Sequence, residues 1–326
     1  MTLAPKSGVA PAQSWTDDDI AAFSRGQIER GSKSFAGAAR LFSPDVRASA
    51  YMLYAWCRHC DDTIDGQDMG HNTATATTSA TEARLSDLQD KTLAAVRGQA
   101  TEPVFVALQT VVARHAIPER HPLELIEGMA MDVRGERYTT LDDTLRYSYH
   151  VAGVVGVMMA MIMGTREHET LDRASDLGIA FQLTNIARDV MADASVGRVY
   201  LPSVWLAETG VAPQRIGDPE NRSAVHTVTL RLLDEADRYY RSAYDGLPHL
   251  PVRSALAIAA ARRVYSGIGN VVRDAGPPGS AQRAHVGASR KLLGIAGAGL
   301  DTLSAHTLGR LRSPRSRDGL WTMPRK

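Results

Sequence analysis

Apolar residues recur at helical spacing along nearly the whole chain, and no stretch alternates apolar and polar positions as a half-buried strand would. Start and stop signals fit that period. Thr16 before Asp17, Asp18 and Asp19 reads as a cap with acid in the first turn and predicts a helix ending near Arg30. Ser43-Pro44-Asp45 opens a second helix that runs to Asp65. Between them, GSKSFAGAARLF reads as a short capped helix whose Ser32, Lys33 and Ser34 offer donors at its N-terminus. Residues 66–80, rich in Gly, Thr and Ala, read as a loop. Further helices are expected over 81–98, 102–115, 122–137, 141–164, 169–194, 222–244, 251–275 and 281–305. The pattern predicts one all-α domain over residues 15–310, a thick bundle around a central cavity. A flexible leader, 1–14, and a basic tail, 311–326, flank it, with only Leu320 and Trp321 of the tail expected to touch the body.

Two of these helices carry a polar stripe. Gln182, Asn185, Asp189 and Asp193 follow at spacings of three, four and four, which stacks them on one face, while Leu183, Ile186 and Val190 point to neighbouring helices. Tyr54, Arg58, Asp61 and Asp65 repeat the device at four, three and four. Carboxylates one turn apart repel by roughly 0.2–0.5 kcal/mol even on an exposed helix, so two such pairs facing each other across a bundle need a cation. Hard oxygen donors suit Mg²⁺ or Mn²⁺, and Mg²⁺ binds through a few carboxylates plus substrate phosphates. An acidic rim above an apolar lining suits ionisation of an allylic diphosphate. Asp132, Arg134 and Arg137 read equally as a solvated helix end or as groups pointing into a cleft. A carboxylate-bridged di-iron site would need matched Glu-x-x-His pairs, which the chain lacks.

Composition narrows the partners. With 37 Lys plus Arg against 36 Asp plus Glu, the chain has no global field to attract nucleic acid. Cys57 and Cys60 form C-x-x-C within a helical pattern with no second pair, which argues against zinc and against a disulfide framework and fits a reducing, cytoplasmic setting. The first fifteen residues lack the pattern of a secretory signal, and the most apolar segment, 151–163, is shorter than the ~20 residues of a membrane span. Small residues at Ala152, Gly153 and Gly156 allow a close approach by another backbone.

WCRHCDDTID and QLTNIARDVMADASVGRVYLP, with GSKSF, MDVRGERY and YSYHVAGVVG, resemble the squalene and phytoene synthase family over residues 31–293. The resemblance implies the class I isoprenoid (terpenoid) synthase fold and head-to-head condensation of two prenyl diphosphates. It assigns Asp61, Asp65, Asp189, Asp193 and Asn185 to Mg²⁺ or Mn²⁺, with Asp62 in support. Ser34, Lys33, Tyr54, Arg58, Arg188 and Tyr265 fall to the substrate, Gln182 to the cavity, and Tyr147 to a place near the reacting carbons. The substrate it implies is geranylgeranyl diphosphate, converted to phytoene without NADPH, with farnesyl diphosphate and a squalene or dehydrosqualene product as the alternative. A non-catalytic helical assembly factor would have eroded one Asp motif, and both are whole. Peripheral association with a membrane or a downstream carotenoid enzyme is compatible with this reading. Gly31 departs from relatives that carry histidine there, and Arg283, Arg290 and Lys291 match a phosphate-side segment only loosely.

Overall fold

The structure, a computed structural model, describes residues 15–31, 33–68, 71–72, 78–277 and 287–324. Thirteen α-helices occur among them: α1 Asp17–Gly31, α2 Lys33–Ala39, α3 Pro44–Asp65, α4 Thr78–Val96, α5 Pro103–His115, α6 Arg120–Val133, α7 Leu141–Ser148, α8 Val154–Ile162, α9 His168–Ser195, α10 Ser203–Glu208, α11 Arg222–Tyr244, α12 Val252–Ala275 and α13 Ala288–Thr307. The expected all-α architecture is present. Within the loop expected at 66–80, β1 (Gln67–Asp68) and β2 (His71–Asn72) pair antiparallel, and α4 begins three residues earlier than its acidic start signal suggests. Residues 281–286 of the expected last helix, like the leader, lie outside the described residues.

Local chemistry accounts for the ends. At α1, Thr16 Oγ1 accepts from the Asp19 N–H while Asp19 accepts from the Thr16 N–H, a reciprocal cap. Ser43 makes no such bond, and Pro44 at the first helical position sets the start of α3 instead. The helix expected over 141–164 is one continuous run interrupted by a π-helical turn, Tyr149–Gly153. That run, Leu141–Ile162, is long and apolar enough to cross a bilayer, contrary to the shorter segment read from the sequence, but 67% of its most apolar window is buried in the protein. It is the central core helix.

The long α9 packs against α8, α11, α12 and the π turn. Close approach comes from glycine. A Cβ on Gly178 would strike the Ala152 carbonyl, and one on Gly156 the Ala174 carbonyl, so α8 and α9 cross with their backbones nearly touching. The tail departs from expectation. Arg317 pairs with the fully buried Asp176 at 2.7 Å, Arg315 with Asp245 at 2.7 Å, and the Trp321 N–H donates to the Tyr239 hydroxyl at 2.9 Å. These bonds add to the expected contacts of Leu320 and Trp321, which pack against the core together with Met323.

Candidate active site

The last turns of α3 and α9 bring the two acidic stripes to one end of the bundle. Gly66, left-handed at φ 63°, stops α3 just after Asp65, and Gly197, at φ 79°, turns the chain back after α9. That turn delivers Arg198, whose guanidinium meets Asp65 at 2.7 Å and ties together motifs 133 residues apart. Asp132, on α6, stands close enough to raise the proton affinity of both Asp61 and Asp193.

Asp61 is pushed up to about 7, first by burial, against the pull of Arg58 and with the repulsion of Asp65, Asp62 and Asp132. Asp193 is likewise raised to about 7 by burial and by Asp189, with Arg198 opposing and Asp132 adding to the repulsion. The other acids are partnered. Arg58 grips Asp62 at 2.7 and 3.1 Å, turning toward a cleft between α1, α3 and α5, while Arg188 grips its neighbour Asp189 at 2.9 Å. Among the described residues no three acidic, imidazole or thiolate groups converge as a ready metal site. The donor set nevertheless fits a hard cation, because Asp61, Asp65, Asp132, Asp189 and Asp193 outnumber Arg188 and Arg198 and two of them hold their protons near neutrality.

Asp132 accepts from the Tyr147 hydroxyl and from the Tyr200 hydroxyl, each at 2.9 Å, and the two rings stack 4.7 Å apart. Burial and Asp132 raise the Tyr147 phenol well above its ordinary range. Tyr147 therefore stands beside the acidic end, held by Asp132, and is not among the residues lining the apolar cavity. Asn185 and Gln182 meet only loosely, at 3.5 Å. Tyr54 stacks on Phe35 and Tyr265 on Phe181, both rings lying at the edge of the apolar cavity. A Cβ at position 31 would collide with the Tyr54 hydroxyl, which gives the departure at Gly31 a physical reason. The side chains of Lys33, Ser34, Arg283, Arg290 and Lys291 lie outside the described residues.

Beneath the rim, α9 passes an apolar cavity of about 270 Å³ walled by α2, α8 and α12, with Phe42, Val155, Met159, Leu177, Phe181 and Ile258 among its lining. On the other side of the α9 terminus a wider cleft of mixed lining, about 1100 Å³, runs past Asp132, Arg137, Tyr138, Arg198 and Tyr200. Arg198 and Tyr200 were missing from the sequence-derived site, although both sit in the GRVYLP stretch. They follow a turn, so no helical spacing could place them. Asp132 was an undecided candidate that burial and its two phenol partners resolve.

A closed helical bundle with two aspartate motifs over an apolar cavity defines an all-α prenyl-transferring enzyme with the isoprenoid synthase fold. The chain belongs to the squalene/phytoene synthase family, whose family model matches residues 28–290. It is 50% identical over 297 residues to a 15-cis-phytoene synthase of Enterobacter agglomerans, covering 91% of this chain and 100% of that one. Against the 15-cis-phytoene synthase of Pantoea ananas it is 49% identical over 295 residues, 90% of this chain and 94% of the relative. Among solved structures, a dehydrosqualene synthase in complex with ligand superposes with a TM-score of 0.79 at 26% identity, covering 88% of this chain and 98% of that one. A squalene synthase from Alicyclobacillus acidocaldarius shares the fold at a TM-score of 0.65 and 21% identity, over 90% and 95% of the two chains.

Proposed function

We propose that this chain condenses two molecules of geranylgeranyl diphosphate head to head, through prephytoene diphosphate, to phytoene in carotenoid biosynthesis, and that it does so in the cytoplasm. The observation that carries the reading is the half-identity to 15-cis-phytoene synthases over nearly their whole length, with both aspartate motifs intact. Asp61, Asp65, Asn185, Asp189 and Asp193 would hold Mg²⁺ or Mn²⁺, which when bound supplies positive charge to the departing diphosphates. Arg188 and Arg198 add fixed positive charge at the same end. The apolar wall excludes water, so the allylic cation meets the second substrate's double bond before it meets a hydroxide. Tyr147 cannot serve as a phenolate base. Its proton is committed to Asp132, which suits the phenol beside the acidic end to steadying positive charge rather than taking up a proton. The cyclopropyl intermediate forms by loss of a proton, and its second ionisation, rearrangement and proton loss give the hydrocarbon. No hydride donor enters this sequence, and none is expected.

Purified protein with Mg²⁺ and either geranylgeranyl or farnesyl diphosphate, without NADPH, tests the reading. A forty-carbon hydrocarbon with a central conjugated triene supports it. A thirty-carbon product would transfer the protein to the dehydrosqualene branch, the activity named for one of its structural relatives. No consumption of either would refute it.

A further inference from the structure

The apolar cavity has one charged side chain in its lining, Arg173. Phe181, Gly178, Leu177, Ala174, Arg173 and Thr170 descend one face of α9, so the cavity follows that helix away from the acidic rim. Arg173 lies sixteen residues before Asp189, about 24 Å along the helix at 1.5 Å per residue. It is only 3% exposed. Its Nη1 donates to Ser242 Oγ at 2.9 Å, and its Nη2 to Glu169 at 3.2 Å and to the Arg315 carbonyl of the C-terminal segment at 2.6 Å. The Nε–H has no partner. Gly246, on the opposite wall, is so close that a Cβ there would come within 2.9 Å of the Arg173 Cβ.

We infer that Arg173, held in place by Ser242 and the Arg315 carbonyl, is the floor of the hydrocarbon cavity and sets the prenyl length that the enzyme accepts. An alkyl chain can satisfy none of the guanidinium's donors, and growth past this point would have to break bonds made by a buried guanidinium. The side walls are apolar, small at Ala152, Gly156 and Gly178 and bulkier at Phe42, Leu177 and Phe181, so an alkyl chain can pack against them; against the charged floor it cannot. The inference rests on the proposed action on prenyl diphosphates, and it extends that reading from substrate class to chain length.

The two ends of the contact make opposite predictions. Arg173→Met removes the charge and opens the floor, so preference for a twenty-five-carbon over a twenty-carbon prenyl diphosphate should rise about tenfold or more, the scale on which one or two methylenes are discriminated. Gly246→Ala pushes Arg173 up into the cavity and should shift preference from twenty toward fifteen carbons by a similar factor. Arg173→Lys keeps the charge and should keep the wild-type ratio. Both kcat/KM for the three diphosphates and calorimetric binding of their non-ionising thiolodiphosphate analogues would be measured on the full chain. Unchanged length ratios in both folded variants would overturn the inference and leave Arg173 as a tie for the tail. If Arg173→Met does not fold, Gly246→Ala decides alone. Wild-type protein that binds the analogues with a length preference but turns over none would defeat the functional reading and leave the floor standing.

Discussion

Asp61 and Asp193 hold their protons near pH 7, about three units above an ordinary aspartate, because each sits in a poorly solvated cleft among other carboxylates. The native state then binds more protons than the unfolded chain between about pH 4 and pH 7. Their stabilising contribution is present below that window and is lost as pH rises through 7. Metal-free protein is expected to melt at lower temperature at about pH 8 than at about pH 5, and Mg²⁺ to raise the melting temperature more at the higher pH, where it displaces no proton. An equal Mg²⁺ shift at both pH values would count against these carboxylates as ligands. Asp193→Asn separates folding from chemistry. It should raise the metal-free melting temperature by relieving repulsion while cutting turnover on the order of a hundredfold or more.

At the scale of elements, α8 and α9 are positioned by two glycines rather than by interdigitating side chains. Alanine at Gly178 would gain about 1 kcal/mol of helix propensity. It would also put a methyl against the backbone at Ala152 and Gly153. Neither backbone can yield as a flexible side chain would, so Gly178→Ala is expected to destabilise by about 1–3 kcal/mol net. The midpoint of urea unfolding checks this, and a midpoint at or above wild type refutes it. The sequence marked Ala152, Gly153 and Gly156 as a place of close approach, but not which helix approached. The π turn was illegible, since Tyr149–Gly153 has no composition that distinguishes it from α-helix.

For the molecule as a whole, the C-terminal segment is a strap. Arg317 reaches Asp176 across 141 residues and compensates a carboxylate with no exposed surface. Arg317→Ala would strip that buried carboxylate of its ion-pair partner, leaving it the Ser242 hydroxyl and the Arg173 charge, at a cost of about 3 kcal/mol, the lower end for a broken buried pair. Burial already holds the Asp176 carboxyl above its usual range, and losing Arg317 raises it further. The deficit should therefore grow between about pH 5 and pH 8, as the exposed aspartate of the unfolded chain becomes the better home for the charge. Chemical denaturation at both pH values measures it. A pH-independent loss would mean that the strap acts through packing alone.

The helices, the two acidic stripes and their shared face were determined by the sequence, because helical periodicity is local and a spacing of three or four fixes which side chains share a turn. Arg198 at Asp65, the two phenols on Asp132, the room that Gly31 leaves for Tyr54 and the strap at Asp176 were decided by the tertiary structure alone. Each joins residues that a turn or more than a hundred positions separate, or depends on the space a neighbouring element leaves, and no periodicity along the chain encodes either. Arg173 belongs to both. Its place on α9 is legible in the sequence, but only the packing of α9 against α11 and the tail puts a charge at the bottom of an apolar cavity.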